Sequence, residues 1–147
     1  MCRILFIDDD ARLTGLFVEA AEEAGFKTHH LRGPDQALEY LEQPDTVADV
    51  IVWDMMISPG ERFRGVDTEA GLSTGRHLYP AMRKLRPHAH YILLTARGDV
   101  SFADFDSPGT NSHVRFKESS AVEDLVRFIK ELVSGLPPEE PGAEDIR

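Results

Sequence analysis

Hydrophobic and polar positions fall in blocks along this chain, and the blocks read as alternating strands and helices. "RILFI" (residues 3–7) is an apolar run suited to a strand buried on both faces, and it leads directly into the acidic "DDD" of residues 8–10. From Ala11 to Ala24 the apolar residues Leu13, Leu16, Phe17, Ala20, Ala21 and Ala24 recur at helical spacing, and Gly25 stands where a helix stops. "KTHHL" (27–31) is a second strand. Gly33-Pro34-Asp35 then opens a short amphipathic helix carrying Ala37, Leu38 and Leu41, closed by Pro44. "ADVIVWDMM" (48–56) predicts a third strand that delivers a single carboxylate, Asp54, at its end.

After Asp54 the pattern dissolves into a stretch punctuated by Pro59, Gly60, Gly65, Gly71 and Gly75, long for a connection in an α/β protein. Helical periodicity resumes in "RHLYPAMRKLR" (76–86), where Pro80 predicts a kink or a late helix start. "HYILLTA" (90–96) is a fourth strand ending at Thr95, and "HVRFK" (113–117) a fifth ending at Lys117. Between them, "DVSFADFDSPGTNS" holds at most a shortened helix, because Ser107-Pro108-Gly109 breaks it. "AVEDLVRFIKELV" (121–133) is a closing amphipathic helix. Residues 1–134 are therefore expected to form one domain, and the Pro-rich, acidic residues 135–147 a disordered tail. Strands alternating with helices predict an α/β, doubly wound, five-stranded parallel sheet.

Composition narrows the partners. The 147 residues fit one domain of ordinary size. Sixteen Lys plus Arg against 26 Asp plus Glu leave a charge of −10, which argues against nucleic acid or a membrane surface as partner. Cys2 is the single cysteine, so no internal disulfide forms, and no apolar stretch approaches the roughly 20 residues of a membrane span. The chain enters its first strand without a charged leader region, and the expectation is a cytoplasmic protein. Dinucleotide fingerprint, Walker loop, zinc spacing and Ser-His-Asp ordering are all missing from the sequence.

Ligands of parallel α/β sheets sit outside the carboxyl ends of the strands. Asp8, Asp9, Asp54, Thr95 and Lys117 all fall at such ends. Carboxylates gathered there repel one another unless a cation intervenes, and an oxygen-rich set suits Mg²⁺ together with phosphate oxygens. A lysine as point charge and a threonine hydroxyl complete a site able to hold a phosphoryl group, with Asp54 as nucleophile forming an aspartyl phosphate.

At these residues the chain resembles a known family. "ILFIDDD", "VIVWDMM", "YILLTA" and "RFKES", with Thr95 and Lys117 spaced 22 positions apart, resemble the receiver domains of two-component response regulators over about residues 3 to 133. The resemblance implies the flavodoxin-like strand order 2-1-3-4-5. It implies that Asp54 accepts phosphate from a sensor histidine kinase or phosphotransfer protein, and that Asp9, Asp54 and the Met56 backbone carbonyl bind Mg²⁺, with Asp8 supporting the metal through water. Thr95 and Lys117 would contact the phosphoryl group, with Ala96 leaving it room. The implied role is a signalling switch acting on a downstream protein, not an enzyme. Met56 and Arg97 are bulky at the two positions that in this family tune water's access, which implies slow hydrolysis.

Four features depart from that pattern. If Gly75 is the glycine that follows the family's phosphorylated aspartate, it stands 21 positions after Asp54, so the loop is extended. Glu118 follows Lys117 where the family usually has proline. Val114 replaces the usual aromatic, so the threonine-to-aromatic switch is expected to be absent, and the helix before strand five is shortened. Output through residues 57 to 74 is the expected substitute. Two other readings stay open: a pseudo-receiver that binds a protein without phosphorylation, and a haloacid dehalogenase-type phosphatase with Asp8 as nucleophile in Asp8-x-Asp10. Glu123 and Asp124 fall inside a helix and not at a strand end, and Asp54 would be unexplained, which weighs against the phosphatase. His29 and His30 face opposite sides of a strand and cannot form one metal site. Arg62, Arg64 and Arg97 could gate phosphate, but pairing with local acids is the simpler expectation.

Overall fold

The computed structural model describes residues 2–96, 111–117 and 121–134. Five parallel strands, β1 (Arg3–Ile7), β2 (Lys27–Leu31), β3 (Val50–Trp53), β4 (His90–Thr95) and β5 (Ser112–Phe116), are hydrogen-bonded in the order β2-β1-β3-β4-β5. This is the flavodoxin-like order that the resemblance implied. Among the described residues four helices cover the sheet: α1 (Ala11–Glu23), α2 (Pro34–Glu42), α3 (Thr74–Leu85) and α4 (Ala121–Ser134). The shortened helix expected between β4 and β5, Arg97, Glu118 and the acidic tail lie outside the described residues.

Alternation along the central strands divides the core in two. Leu5, Ile7, Ile51, Trp53, Tyr91 and Leu93 point to the face covered by α2 and α3, against Leu38, Leu41, Leu78 and Met82. Ile4, Phe6, Val50, Val52, Ile92 and Leu94 point to the other face, against Phe17 and Ala21 of α1 and Leu125, Phe128 and Ile129 of α4. The interior strands are apolar on both sides because both sides are covered. The edge strand β2 has no fully buried residue and reads as the mixed "KTHHL" for that reason.

Asp10 caps α1, its carboxylate accepting the Leu13 amide at 3.2 Å, and Pro34 opens α2 where its missing N–H costs nothing. Of the kink or late start that Pro80 predicts, helix α3 excludes the late start. It begins at Thr74, ahead of its apolar periodicity, and runs through Pro80 without starting late. Pro80 itself is exposed. The two helix ends on this face are tied together by Arg86, whose guanidinium donates to the Leu41, Gln43 and Thr46 carbonyls and to Thr46 Oγ1 at 2.8–3.1 Å.

Register then sets the site. Ile7 lies opposite both Leu31 and Trp53, Trp53 opposite Leu93, and Thr95 opposite Phe116. The residues that follow these last rungs, Asp8, Asp54 and Lys117, leave one edge of the sheet side by side.

Candidate functional site

Each of these three side chains stands on backbone that is still held by the strand ladder. The Asp8 amide donates to Leu31 O at 3.0 Å, the Asp54 amide to Ile7 O at 3.3 Å and the Lys117 amide to Thr95 O at 2.9 Å. The side chains begin where the strands stop, but on fixed backbone.

There the Lys117 ammonium bridges two carboxylates, 2.6 Å from Asp54 Oδ2 and 3.0 Å from Asp8 Oδ2. Both acids are nearly closed off, Asp8 at 6% and Asp54 at 7% exposure, so the pair is a desolvated charge cluster and not a solvated surface contact. Their other oxygens accept backbone amides, Asp8 Oδ1 from Asp10 at 3.0 Å and Asp54 Oδ1 from Met56 at 3.3 Å. Burial pushes the Asp54 carboxyl above its ordinary pKa; Lys117 offsets part of that rise, and the charge of Asp8 adds to it. Burial works against the Lys117 charge, yet Asp54 and Asp8 outweigh it, and the ammonium's pKa is raised.

The remaining predicted residues take different places. Thr95 is the buried last residue of β4, Ala96 is exposed, and Met56, two positions after Asp54, is 40% exposed. Asp9 does not join its neighbours: it is exposed, and its Oδ2 accepts the Ser58 amide at 3.3 Å. Asp8, Asp54 and Lys117 are thus together, with Thr95 at the next strand end and Asp9 turned to the loop. Among the described residues no three His, Cys, Asp or Glu side chains converge as a metal-binding group. The donor chemistry fits Mg²⁺ nevertheless. Two buried carboxylates share one ammonium, a third carboxylate is adjacent in sequence, and all the acidic donors are hard oxygens.

Several contributors carry little signal in the sequence. His30 Nε2 lies 2.9 Å from the Asp8 carbonyl, so this ring nitrogen must be the protonated one, and it holds the turn after β1 from the neighbouring strand. Nothing in the pair His29-His30 announces that, and His29 itself stacks on Tyr40. Gly75 is marked only by the resemblance, as the glycine after the family's phosphorylated aspartate, and not by the helical pattern. Its amide donates to Met55 O at 2.8 Å, its carbonyl accepts Trp53 Nε1 at 3.0 Å, and a Cβ there would sit 2.6 Å from Met55 Cα and closer still to the Asp54 carbonyl oxygen.

The long stretch after Asp54 is built, not slack. Asp35 at the start of α2 accepts the Glu61 and Arg62 amides at 2.7 and 2.9 Å. Arg62 forks onto both oxygens of Glu42 at 2.7 Å, and Arg64 pairs with Glu61, so both arginines serve local acids. Thr68, Ser73 and Thr74 are buried where the stretch returns to α3.

This architecture has close structural counterparts. A receiver domain protein described as CheY-like, from Methanospirillum hungatei, superposes with a TM-score of 0.71 over 92% of this chain and 95% of its own, at 19% identity. The chain has the response regulator receiver fold. TrrA of Thermotoga maritima, a response regulator solved in complex with Mg²⁺ and BeF, shares the receiver fold at TM-score 0.66, with 22% identity over 90% of this chain and 99% of its own. TrrA in complex with the histidine kinase ThkA superposes at 0.65, with 21% identity over 90% and 99% of the two chains. No family model matches the sequence, and no curated protein matches it either. At such identities the receiver fold is what the likeness establishes, and the chemistry rests on the side chains at the sheet edge.

Proposed function

We propose that this chain is a phosphorylation-dependent signalling switch in which Asp54 accepts a phosphoryl group with Mg²⁺ and thereby alters a protein-binding surface. One observation carries the reading: two buried carboxylates at adjacent strand ends share the ammonium of a lysine from a third, with a threonine at the end of the strand between. An Asp54 oxygen attacks the phosphorus of a phosphohistidine on a sensor kinase or phosphotransfer protein. The phosphorus–nitrogen bond breaks, and the leaving imidazole takes up a proton. Lys117, already 2.6 Å from the acceptor carboxylate, meets the incoming negative charge, and the Thr95 hydroxyl is the donor at the neighbouring strand end. Asp8, Asp9, Asp54 and the Met56 carbonyl are the groups that would hold Mg²⁺, which supplies charge neutralisation at the transferring oxygens. The complexes of TrrA with Mg²⁺ and BeF, and with a histidine kinase, support the same cation and the same class of donor here.

The test is the intact mass of wild type, Asp54→Asn and Asp8→Asn after incubation with a small-molecule phosphodonor, with and without Mg²⁺. Mg²⁺-dependent gain of one phosphoryl group by wild type, abolished in Asp54→Asn and weakened in Asp8→Asn, is the expected result. No gain in any protein overturns the reading and leaves phosphorylation-independent binding. Labelling that needs Asp8 and survives loss of Asp54 overturns it in favour of a phosphatase.

A further inference from the structure

We infer that the backbone amide of Ser58 is a positioning group that competes with the bound cation for Asp9, so that cation binding and the seating of the long loop oppose each other. The inference rests on the switch reading above for the identity of the cation. Asp8 and Asp9 are consecutive, yet Asp8 turns inward to Lys117 while Asp9 turns outward to Ser58, 49 positions further along the chain. The three carboxylates do not converge in this arrangement, so Asp9 reaches a cation shared with Asp8 and Asp54 by turning away from Ser58.

The rest of the loop's first half is anchored elsewhere. Asp35 holds the amides of Glu61 and Arg62, and Glu42 holds the Arg62 guanidinium, all at 2.7–2.9 Å on α2. Those bonds do not involve Asp8, Asp9 or Asp54. The Ser58 bond does, through Asp9, and at 3.3 Å on an exposed carboxylate it is the weaker attachment. A cation that draws Asp9 inward therefore frees the loop at Ser58, between the buried Ile57 and the pinned residues 61 and 62. By reciprocity, the seated loop weakens the cation's hold by the same factor. The loop's entrance thus reports occupancy of the site without any aromatic switch residue.

The experiment is a MgCl₂ titration of ¹⁵N-labelled wild type, Asp9→Asn and Ser58→Pro, with amide resonances read alongside calorimetric binding. In wild type the Ser58 amide proton is expected to move upfield with the same midpoint as Mg²⁺ saturation. In Asp9→Asn, whose amide oxygen still accepts the bond but is a poor ligand, Ser58 should stay put throughout. Ser58→Pro, which lacks the competing donor, should bind Mg²⁺ about 3- to 10-fold more tightly. Mg²⁺ binding in wild type with an unmoved Ser58 amide overturns the inference while leaving the switch reading intact, as does a folded Ser58→Pro that binds no more tightly. If Ser58→Pro does not fold, the comparison of wild type with Asp9→Asn decides alone. Absence of Mg²⁺ binding in every protein overturns both.

Discussion

Asp54 is held between two opposing influences, its burial and the Lys117 ammonium, and burial prevails. A carboxyl whose folded pKa is raised binds its proton more tightly in the folded than in the unfolded chain. Stability therefore falls as the pH climbs from the ordinary value of 3.8 through the raised one, and stays lowered above it. Asp54→Asn, which resembles the neutral form, should be more stable than wild type at neutral pH, with the gap closing as the pH is lowered toward 3.8. Urea denaturation of both proteins across that range checks this; a wild type that is the more stable at neutral pH would contradict it. The fold thus holds ionised Asp54 at a cost to its stability. What the sequence could reveal at this scale was the type and strand-end position of Asp8, Asp54, Thr95 and Lys117. It could not show that Asp9 would face the loop, because adjacent acids on a turn share one sequence signal and differ only in what lies opposite them.

Among the elements, α3 packs onto the backbone that follows β3. Its first turn rests directly on the backbone of Asp54 and Met55, at a distance only a residue without Cβ allows. Gly75→Ala has no flexible side chain to displace, since the atoms in the way are backbone. It should lower stability by about 3 kcal/mol or more, or prevent folding, which a shift of the urea midpoint or loss of soluble protein would show. The strands were legible because interior strands covered on both faces are written as unbroken apolar runs, as in "VIVW" and "YILL". The start of α3 was not, because the buried Thr74 and Gly75 are not apolar side chains and break the periodicity by which a helix is recognised. The anchoring of residues 61 and 62 was equally hidden, since Asp35 acts on them from another element.

For the molecule as a whole, 26 acidic against 16 basic side chains give a surface that repels itself, while its most important ion pairs are buried at the sheet edge. Salt screens exposed charges more than buried ones, and raising ionic strength from about 0.01 M to about 0.1 M cuts the screening length from roughly 30 Å to 10 Å. The melting temperature should accordingly rise over that interval, by on the order of 2 °C, in a monovalent salt at neutral pH. A fall would mean that attractive surface pairs such as Arg62 with Glu42 outweigh the overall repulsion. The bond from the Gly75 amide to the Met55 carbonyl also makes the intervening stretch a ring closed at its neck. A ring already closed tolerates growth: doubling its length adds only about 0.6 kcal/mol of closure entropy. Its exposed tip at Gly65 and Val66 is therefore a natural insertion point, where a reporter or tether could be threaded into the chain without touching the sheet or either terminus.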